Sequence, residues 1–383
     1  MALKLPEGFA AAGGRAMIKP SEKPDLALLT VDVPAAWALV ATRNRVTAAC
    51  VDRNRELSAG GGHIRALAVN SGNANCATGE LGIVDNQMFA ESAAATAGVE
   101  PEEVLTASTG VVGRVLPLDK IKVALPAVAR ALDHDVDAFA QAILTTDLVS
   151  KVEGVSIDNG ARIVGVAKGS GMIHPDMATM LAFVTTDAKV PQAALRRLWP
   201  GVIDQTFNQV TVDGDTSPND MAIVLSSGRV AVEEDIFVEG LTAVCRELAK
   251  SVARDGEGAT KLLTVRVTGA ASESEARTAA RSVAASPLVK AAVHGCDPNW
   301  GRILIALGYS GVELEVAKVH ISLQNHLVFA RTPQPFDEGA LSREMDAADV
   351  VIDIDLAVGD RAGVAWGCDL TREYVAINAD YTT

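Results

Sequence analysis

Apolar positions along this 383-residue chain fall into short dense runs, separated by glycine, proline and clusters of small polar residues. Runs at 27–33, 36–42 and 65–72 carry the Val, Leu and Ala content of strands. An Ala-rich stretch at 84–98 ends on glycine and predicts a helix. A second helix is predicted over 118–132, kinked or divided by Pro126. Residues 151–157 and 161–169 flank Asp158-Asn159-Gly160, a turn sequence that predicts a hairpin. A buried strand is predicted at 180–188. Helices are predicted at 191–208 (broken at Pro200) and 233–255. The remainder alternates: strand 261–270, helix 272–286, then strands at ILIALGY (303–309), 350–359 and 361–370. Hairpins outnumber strand-helix-strand units, which favours an α+β fold of mixed layers over a doubly wound sheet. The length favours two packed domains, with a boundary near residues 270–290 that divides the chain into 1–275 and 276–383.

Composition narrows the function. Charged residues make up 21% and hydrophobic residues 49%, as in ordinary globular proteins, and with only 4% aromatics the core must be built from aliphatic side chains. A net charge of −14 argues against nucleic acid or an anionic membrane as partner. No run approaches the ~18 apolar residues of a membrane span, and Asp32 breaks the longest early one. The opening residues show no apolar stretch followed by a cleavage signal, so a cytoplasmic protein is expected. Five scattered cysteines (Cys50, Cys76, Cys245, Cys296, Cys368) form no CxxC pair and read as reduced, mostly buried thiols. The nucleotide, dinucleotide, zinc-peptidase and α/β-hydrolase signatures do not occur.

Four polar clusters interrupt the apolar pattern. NSGNANCATG (70–79) suits hydrogen-bonded loop scaffolding. TASTGVVGR (106–114) sets Thr109 and Gly110 after a strand, as an ordinary glycine turn or as an oxyanion hole. TVDGDTSPNDM (211–221) departs from calcium-loop spacing and reads as turn and cap chemistry. HGCDPNWGR (294–302) is too tightly spaced for zinc and reads as structural support. A fifth feature is chemical. In KGSGMIHPDMATMLAF (168–183), Thr179 stands in an apolar run after a glycine-rich, proline-broken loop. A threonine hydroxyl needs a base to react, and an N-terminal threonine carries its own, an α-amine of pKa near ~8. Inside a chain that requires backbone cleavage between Ala178 and Thr179, through an N→O acyl shift and hydrolysis of the ester.

Several blocks together decide between these readings: NSGNAN, STGVVGR, TTD, KGSGM…PDMATM, DGEGATK, SPLVKAAVHGCDPNWGR and NADYTT. In this order, over nearly the whole length, they resemble the ornithine acetyltransferase (glutamate N-acetyltransferase) family of the arginine pathway. The resemblance implies an N-terminal-nucleophile-like fold and self-cleavage into an α chain (1–178) and a β chain (from 179), assembled as α2β2. It implies a ping-pong transfer of acetyl from N-acetylornithine to glutamate through an ester on Thr179. No cofactor is implied, and acetyl-CoA is a further donor in some members. Thr109 and Gly110 match the oxyanion pair. Substrate contacts carry over to Thr145 or Thr146, Lys168, Thr179, Glu257, Asn378 and Thr383. Lys168 suits a substrate carboxylate, and Glu257 an ammonium group. The chain departs from the family pattern at Cys76, His174, Pro218 and Met221. The competing readings are an amidohydrolase or aminopeptidase with the same N-terminal threonine, and an uncleaved ligand-binding protein.

Overall fold

The computed structural model describes residues 3–174 and 180–380. Its first sheet is built from β1 (Phe9–Gly14), β2 (Leu26–Ala41), β3 (Ile64–Asn73), β4 (Val104–Val111), β5 (Lys151–Ser156), β6 (Arg162–Lys168), β7 (Leu181–Ala188) and β9 (Met221–Val230), with β8 (Val210–Thr211) reserved for the second sheet. The order is β4-β3-β2-β9-β7-β6-β5, and β1 pairs with the first half of β2. The 16-residue β2 holds two partners in succession. Leu26–Thr30 run antiparallel to β3, and Ala36–Ala41 run antiparallel to β9. The register breaks between them, around Pro34, where a missing N–H suits a bend.

Side-chain alternation shows the consequence. Leu26, Leu28, Ala66 and Val104 pack under α2 (Gly79–Ala97) and α3 (Leu118–Arg130), through Phe89, Ile121 and Leu125. Their alternates Leu29, Leu67 and Leu105 share a core with Val166, Phe183 and Ile223 of the other half-sheet. That half turns Val184, Ala222 and Val224 toward α5 (Gln192–Gln205) and α6 (Glu234–Arg254). The layers are therefore helix, strand, strand, helix. Both faces of most strands are buried, so they read in sequence as continuous apolar runs.

The second sheet runs β13-β12-β11-β14-β10-β15-β8, from β10 (Leu262–Ala270), β11 (His320–Leu323), β12 (His326–Ala330), β13 (Thr332–Pro333), β14 (Asp349–Asp355) and β15 (Arg361–Cys368). The helix α7 (Glu273–Ala285) packs on β10 and β15, with Ala276, Ala280 and Val283 in the shared core. A boundary at 275/276 would pass through this helix, after the sheet's central β10. No helix among the described residues is long and apolar enough to cross a membrane.

The α+β class and nearly all predicted elements are present, with three corrections. The expected strand ILIALGY is a helix. After α8 (Pro287–His294) the chain forms α9 (Trp300–Gly308), N-capped by Asn299, whose side chain accepts the Arg302 N–H at 3.2 Å. Its apolar residues obey helical spacing: Ile303, Ala306 and Leu307 are buried while Ile305 is 66% exposed. The helix expected to be kinked or divided at Pro126 is not divided there, and the one expected to break at Pro200 runs through that proline. An interior proline costs ~3 kcal/mol. Burial of Ile121, Leu125 and Val128 on one helix, and of Leu195, Trp199 and Ile203 on the other, offsets that cost.

Candidate active site

One recess of about 630 Å³, open to solvent, gathers residues from distant parts of the chain. Thr109, Gly110 and Val112 come from the end of β4 and its loop, Thr145 and Thr146 from the loop before β5, and Lys168 from the end of β6. Gly171 and Met172 follow β6. Ser217, Pro218 and Asn219 precede β9, Glu257 follows α6, and Asn378 lies on α11 (Arg372–Asp380). Every expected site residue within the described part of the chain lines this recess. Ala178, Thr179 and Thr383 lie outside the described residues.

The Thr109–Gly110 pair sits inside the C-terminal end of β4, in register with Ser71 and Gly72 of β3. Gly110 has φ +128°, and a Cβ there would lie 2.5 Å from the Gly72 carbonyl carbon. Only glycine fits so close a backbone approach. Three of the four polar clusters meet behind this pair. Asn219 Nδ2 donates to the carbonyls of Ala74 and Ser108, both at 2.8 Å. Ser108 Oγ donates to Asn70 Oδ1 at 2.7 Å, and Asn73 Oδ1 accepts the Asn75 N–H at 2.7 Å. The amide-rich loop is thus a scaffold. The fourth cluster lies elsewhere, where His294 Nδ1 meets Asp369 Oδ2 at 2.9 Å.

Carboxylates hold the loop after β6. Asp147 Oδ1 accepts the Gly169 N–H at 2.6 Å, and Asp213 accepts the N–H groups of Met172 (2.5 Å) and Ile173 (2.8 Å). Asp220 Oδ1 accepts the N–H of Met180 at 2.9 Å, where the described chain resumes. Behind the loop, Lys151 Nζ lies 2.7 Å from Asp147 and 2.6 Å from Asp255, with the Lys151 and Asp147 side chains wholly buried. Burial alone would raise the Asp147 carboxyl, but Lys151, Lys168 and the Gly169 N–H outweigh it and hold it at about 2. Burial raises Asp220 well above the usual carboxylate range, against the pull of Lys168 and the Met180 N–H. Burial likewise lowers Lys168, although Asp147, Asp220 and Glu257 oppose it.

Lys168 Nζ donates to Thr145 Oγ1 at 3.4 Å, while Thr146 Oγ1 pairs with Ser170 Oγ at 2.7 Å. Glu257 faces the recess from the other wall. Its Oε2 accepts from Asn378 Nδ2 at 2.9 Å, and its N–H donates to the Ser170 carbonyl at 2.8 Å. A Cβ on Gly171 would fall 2.4 Å from the Glu257 carboxyl carbon, so glycine here makes room for that carboxylate. The recess therefore offers a cation and a carboxylate, with small hydroxyls between them. Among the described residues no group of three or more His, Cys, Asp or Glu could hold a metal ion.

The four departures noted in the sequence are accommodated locally. Pro218 lines the recess, and its carbonyl accepts the Ala48 N–H. Met221 is buried, with Sδ accepting from Asn54 Nδ2 at 3.2 Å. Cys76 is buried and its carbonyl accepts the Gly113 N–H, and His174 Nδ1 meets Thr211 Oγ1 at 3.2 Å. Sequence reasoning missed Val112, Gly171, Met172 and Ser217 as lining residues and Asp147 and Asp213 as loop anchors. The acidic density of 211–221 was the one available signal.

Comparison with known proteins agrees with this geometry. The ArgJ family profile matches residues 10–383. The chain belongs to the ArgJ family. It is 56% identical to the arginine biosynthesis bifunctional protein ArgJ of Thermus thermophilus over all of both chains. It is 54% identical to that of Deinococcus radiodurans, over 99% of this chain and 98% of the relative. The crystal structure of the Bacillus halodurans ArgJ protein is 42% identical with a TM-score of 0.51. That match covers 52% of this chain and 98% of the solved polypeptide.

Two substitutions probe this ArgJ recess. Lys151→Ala leaves two buried carboxylates facing each other and is expected to cost roughly 3–5 kcal/mol in urea denaturation; a loss below about 1 kcal/mol would contradict the buried ion cluster. Gly171→Ala is expected to push the Glu257 carboxylate off Asn378 in a crystal structure of the variant. Finding that contact unchanged would show that the glycine is not needed there.

Proposed function

We propose that this chain transfers acetyl from N-acetylornithine to glutamate, with Thr179 freed as an N-terminal nucleophile by cleavage after Ala178. Membership of the ArgJ family supports the reaction, and one observation carries its assignment to this site. Thr109, Gly110, Thr145, Thr146, Lys168, Glu257 and Asn378, spread over 270 positions of sequence, line a single recess.

The mechanism follows from what each wall presents. Lys168 pairs with the α-carboxylate common to both substrates, helped by the Thr145 or Thr146 hydroxyl, and Glu257 with Asn378 receives the ornithine δ-ammonium. The Thr179 hydroxyl gives its proton to the Thr179 α-amine and attacks the acetyl carbonyl carbon. Negative charge developing on that oxygen is met at Thr109 and Gly110. Collapse breaks the C–N bond as the proton held by the α-amine passes to the departing nitrogen, releasing ornithine and leaving an acetyl ester. Glutamate then occupies the same place, and its amine attacks the ester carbon, regenerating the threonine. Thr383 completes the substrate contacts.

The sheet explains how a cut chain stays whole. The piece before the cut supplies β1 to β6, and the piece after it supplies β7 and β9. Yet β7 lies between β6 and β9, and β9 pairs with β2. Cleavage between β6 and β7 therefore removes no strand pairing. The length of the Bacillus halodurans polypeptide is in keeping with such a cut, since about half of this chain suffices to cover 98% of it. The assembly is α2β2, in the cytoplasm.

Intact-mass analysis of the purified protein is expected to give two polypeptides that meet at Ala178 and Thr179. Incubation with N-acetylornithine and glutamate is expected to yield ornithine and acetylglutamate in equal amounts. A single 383-residue polypeptide would overturn the cleavage. Free acetate in place of acetylglutamate would favour the amidohydrolase.

A further inference from the structure

The cleavage reading leaves one chemical step without a base. In the uncut chain the nitrogen of residue 179 is an amide, so the α-amine that serves later turnovers does not yet exist. Among the described residues the recess is lined by two side chains able to exchange a proton, Lys168 and Glu257.

Strand register separates them. Lys168 ends β6 directly opposite Leu181 of β7, two residues from Thr179. Its amine is buried and, among the described residues, makes a single hydrogen bond, 3.4 Å from the neutral Thr145 hydroxyl. Burial disfavours the charge on this amine and lowers its pKa, although Asp147, Asp220 and Glu257 oppose that shift. Glu257, in contrast, is engaged by Asn378 and anchored through its backbone to Ser170. On the other side of β7, the Met180 N–H donates to Asp220 Oδ1 at 2.9 Å, and the Met180 carbonyl accepts the Met221 N–H at 3.1 Å. Asp220 is 1% exposed, and its Oδ2 has no hydrogen-bond partner among the described residues. The amide that Asp220 holds belongs to the peptide link following Thr179.

We propose that the Lys168 amine takes the proton of the Thr179 hydroxyl during self-cleavage, and that Asp220 is the positioning residue that fixes the Thr179–Met180 peptide for the attack. The inference rests on the cleavage proposed above and adds a second task to Lys168. As Thr179 Oγ bonds to the Ala178 carbonyl carbon, Lys168 Nζ accepts the hydroxyl proton. Collapse breaks the Ala178–Thr179 C–N bond, and the proton passes from Nζ to the departing nitrogen, which becomes the α-amine. Water then adds to the ester carbon, releasing the Ala178 carboxylate and the free hydroxyl. The groups facing Lys168 are Asp147 before β5, Lys151 on β5, Asp220 before β9, Glu257 after α6 and Lys19 before β2.

A full-length chain made by cell-free synthesis and quenched at intervals measures the cleavage rate without substrate. A Lys168 that only binds substrate would leave that rate unchanged. Lys168→Ala is expected to slow cleavage by roughly 10²–10⁴-fold, with part of the rate restored by added methylamine. The wild-type rate should rise with pH to a plateau, with its midpoint below the usual lysine value of 10.5; in the rescued variant the midpoint should move to that of methylamine. Asp220→Asn, which keeps an acceptor for the Met180 N–H, is expected to cleave, and Asp220→Ala to lose cleavage. Cleavage of Lys168→Ala at the wild-type rate, a folded Lys168→Ala chain that does not respond to amine, or an Asp220→Ala chain that cleaves normally would each overturn the proposal. A wild-type chain that stays uncut would instead overturn the cleavage itself.

Discussion

The site depends on how one strand is held. Strand β7 is clamped between β6 and β9, antiparallel to the first and parallel to the second. Its leading residue is gripped at both backbone groups, the Met180 N–H by Asp220 and the Met180 carbonyl by the Met221 N–H. The described part of the loop after β6 is held by other groups, Asp147 and Asp213. The described residues on the two sides of the 175–179 stretch therefore have separate anchors.

Electrostatics follow from the same burial. Asp147, Lys151, Lys168 and Asp220 are all buried, and the protein balances their charges unequally. Lys151 is shared by Asp147 and Asp255, so those carboxylates are well supported. Lys168 and Asp220 lack comparable partners, and burial pushes both toward their neutral forms. Carboxylates remote from the opening thus fasten the loop, while the poorly paired amine stands at its edge. Perturbed groups of this kind gather where chemistry is done. In this chain they stand at the end of β6 and beside Met180 at the start of β7.

Much of this was legible in the sequence, for identifiable reasons. Thr109, Lys168 and Glu257 lie in blocks whose residues can be read one by one, and the structure places them around one recess. Helices and strands with long periodic runs were clear. ILIALGY was not, because seven apolar residues satisfy either period, and the deciding signal was the Asn299 cap four residues upstream. Pro126 and Pro200 misled because tertiary burial outweighs a local rule. The bend in β2 that folds one sheet into two facing leaves was out of reach. So was the link from Asn219 to Ala74 and Ser108, more than a hundred positions away. Neither leaves a mark in the local pattern.

The central claim is that acetyl passes through Thr179, and trapping the intermediate tests it most directly. The enzyme is incubated with N-acetylornithine without glutamate, quenched in acid, and its polypeptides are mapped by mass spectrometry. One acetyl group is predicted on the piece that begins at residue 179. It should be attached to the Thr179 hydroxyl, be removed by hydroxylamine and be discharged when glutamate is added before the quench. An enzyme that makes acetylglutamate while this piece stays unacetylated, or carries acetyl on any other side chain, would contradict the account.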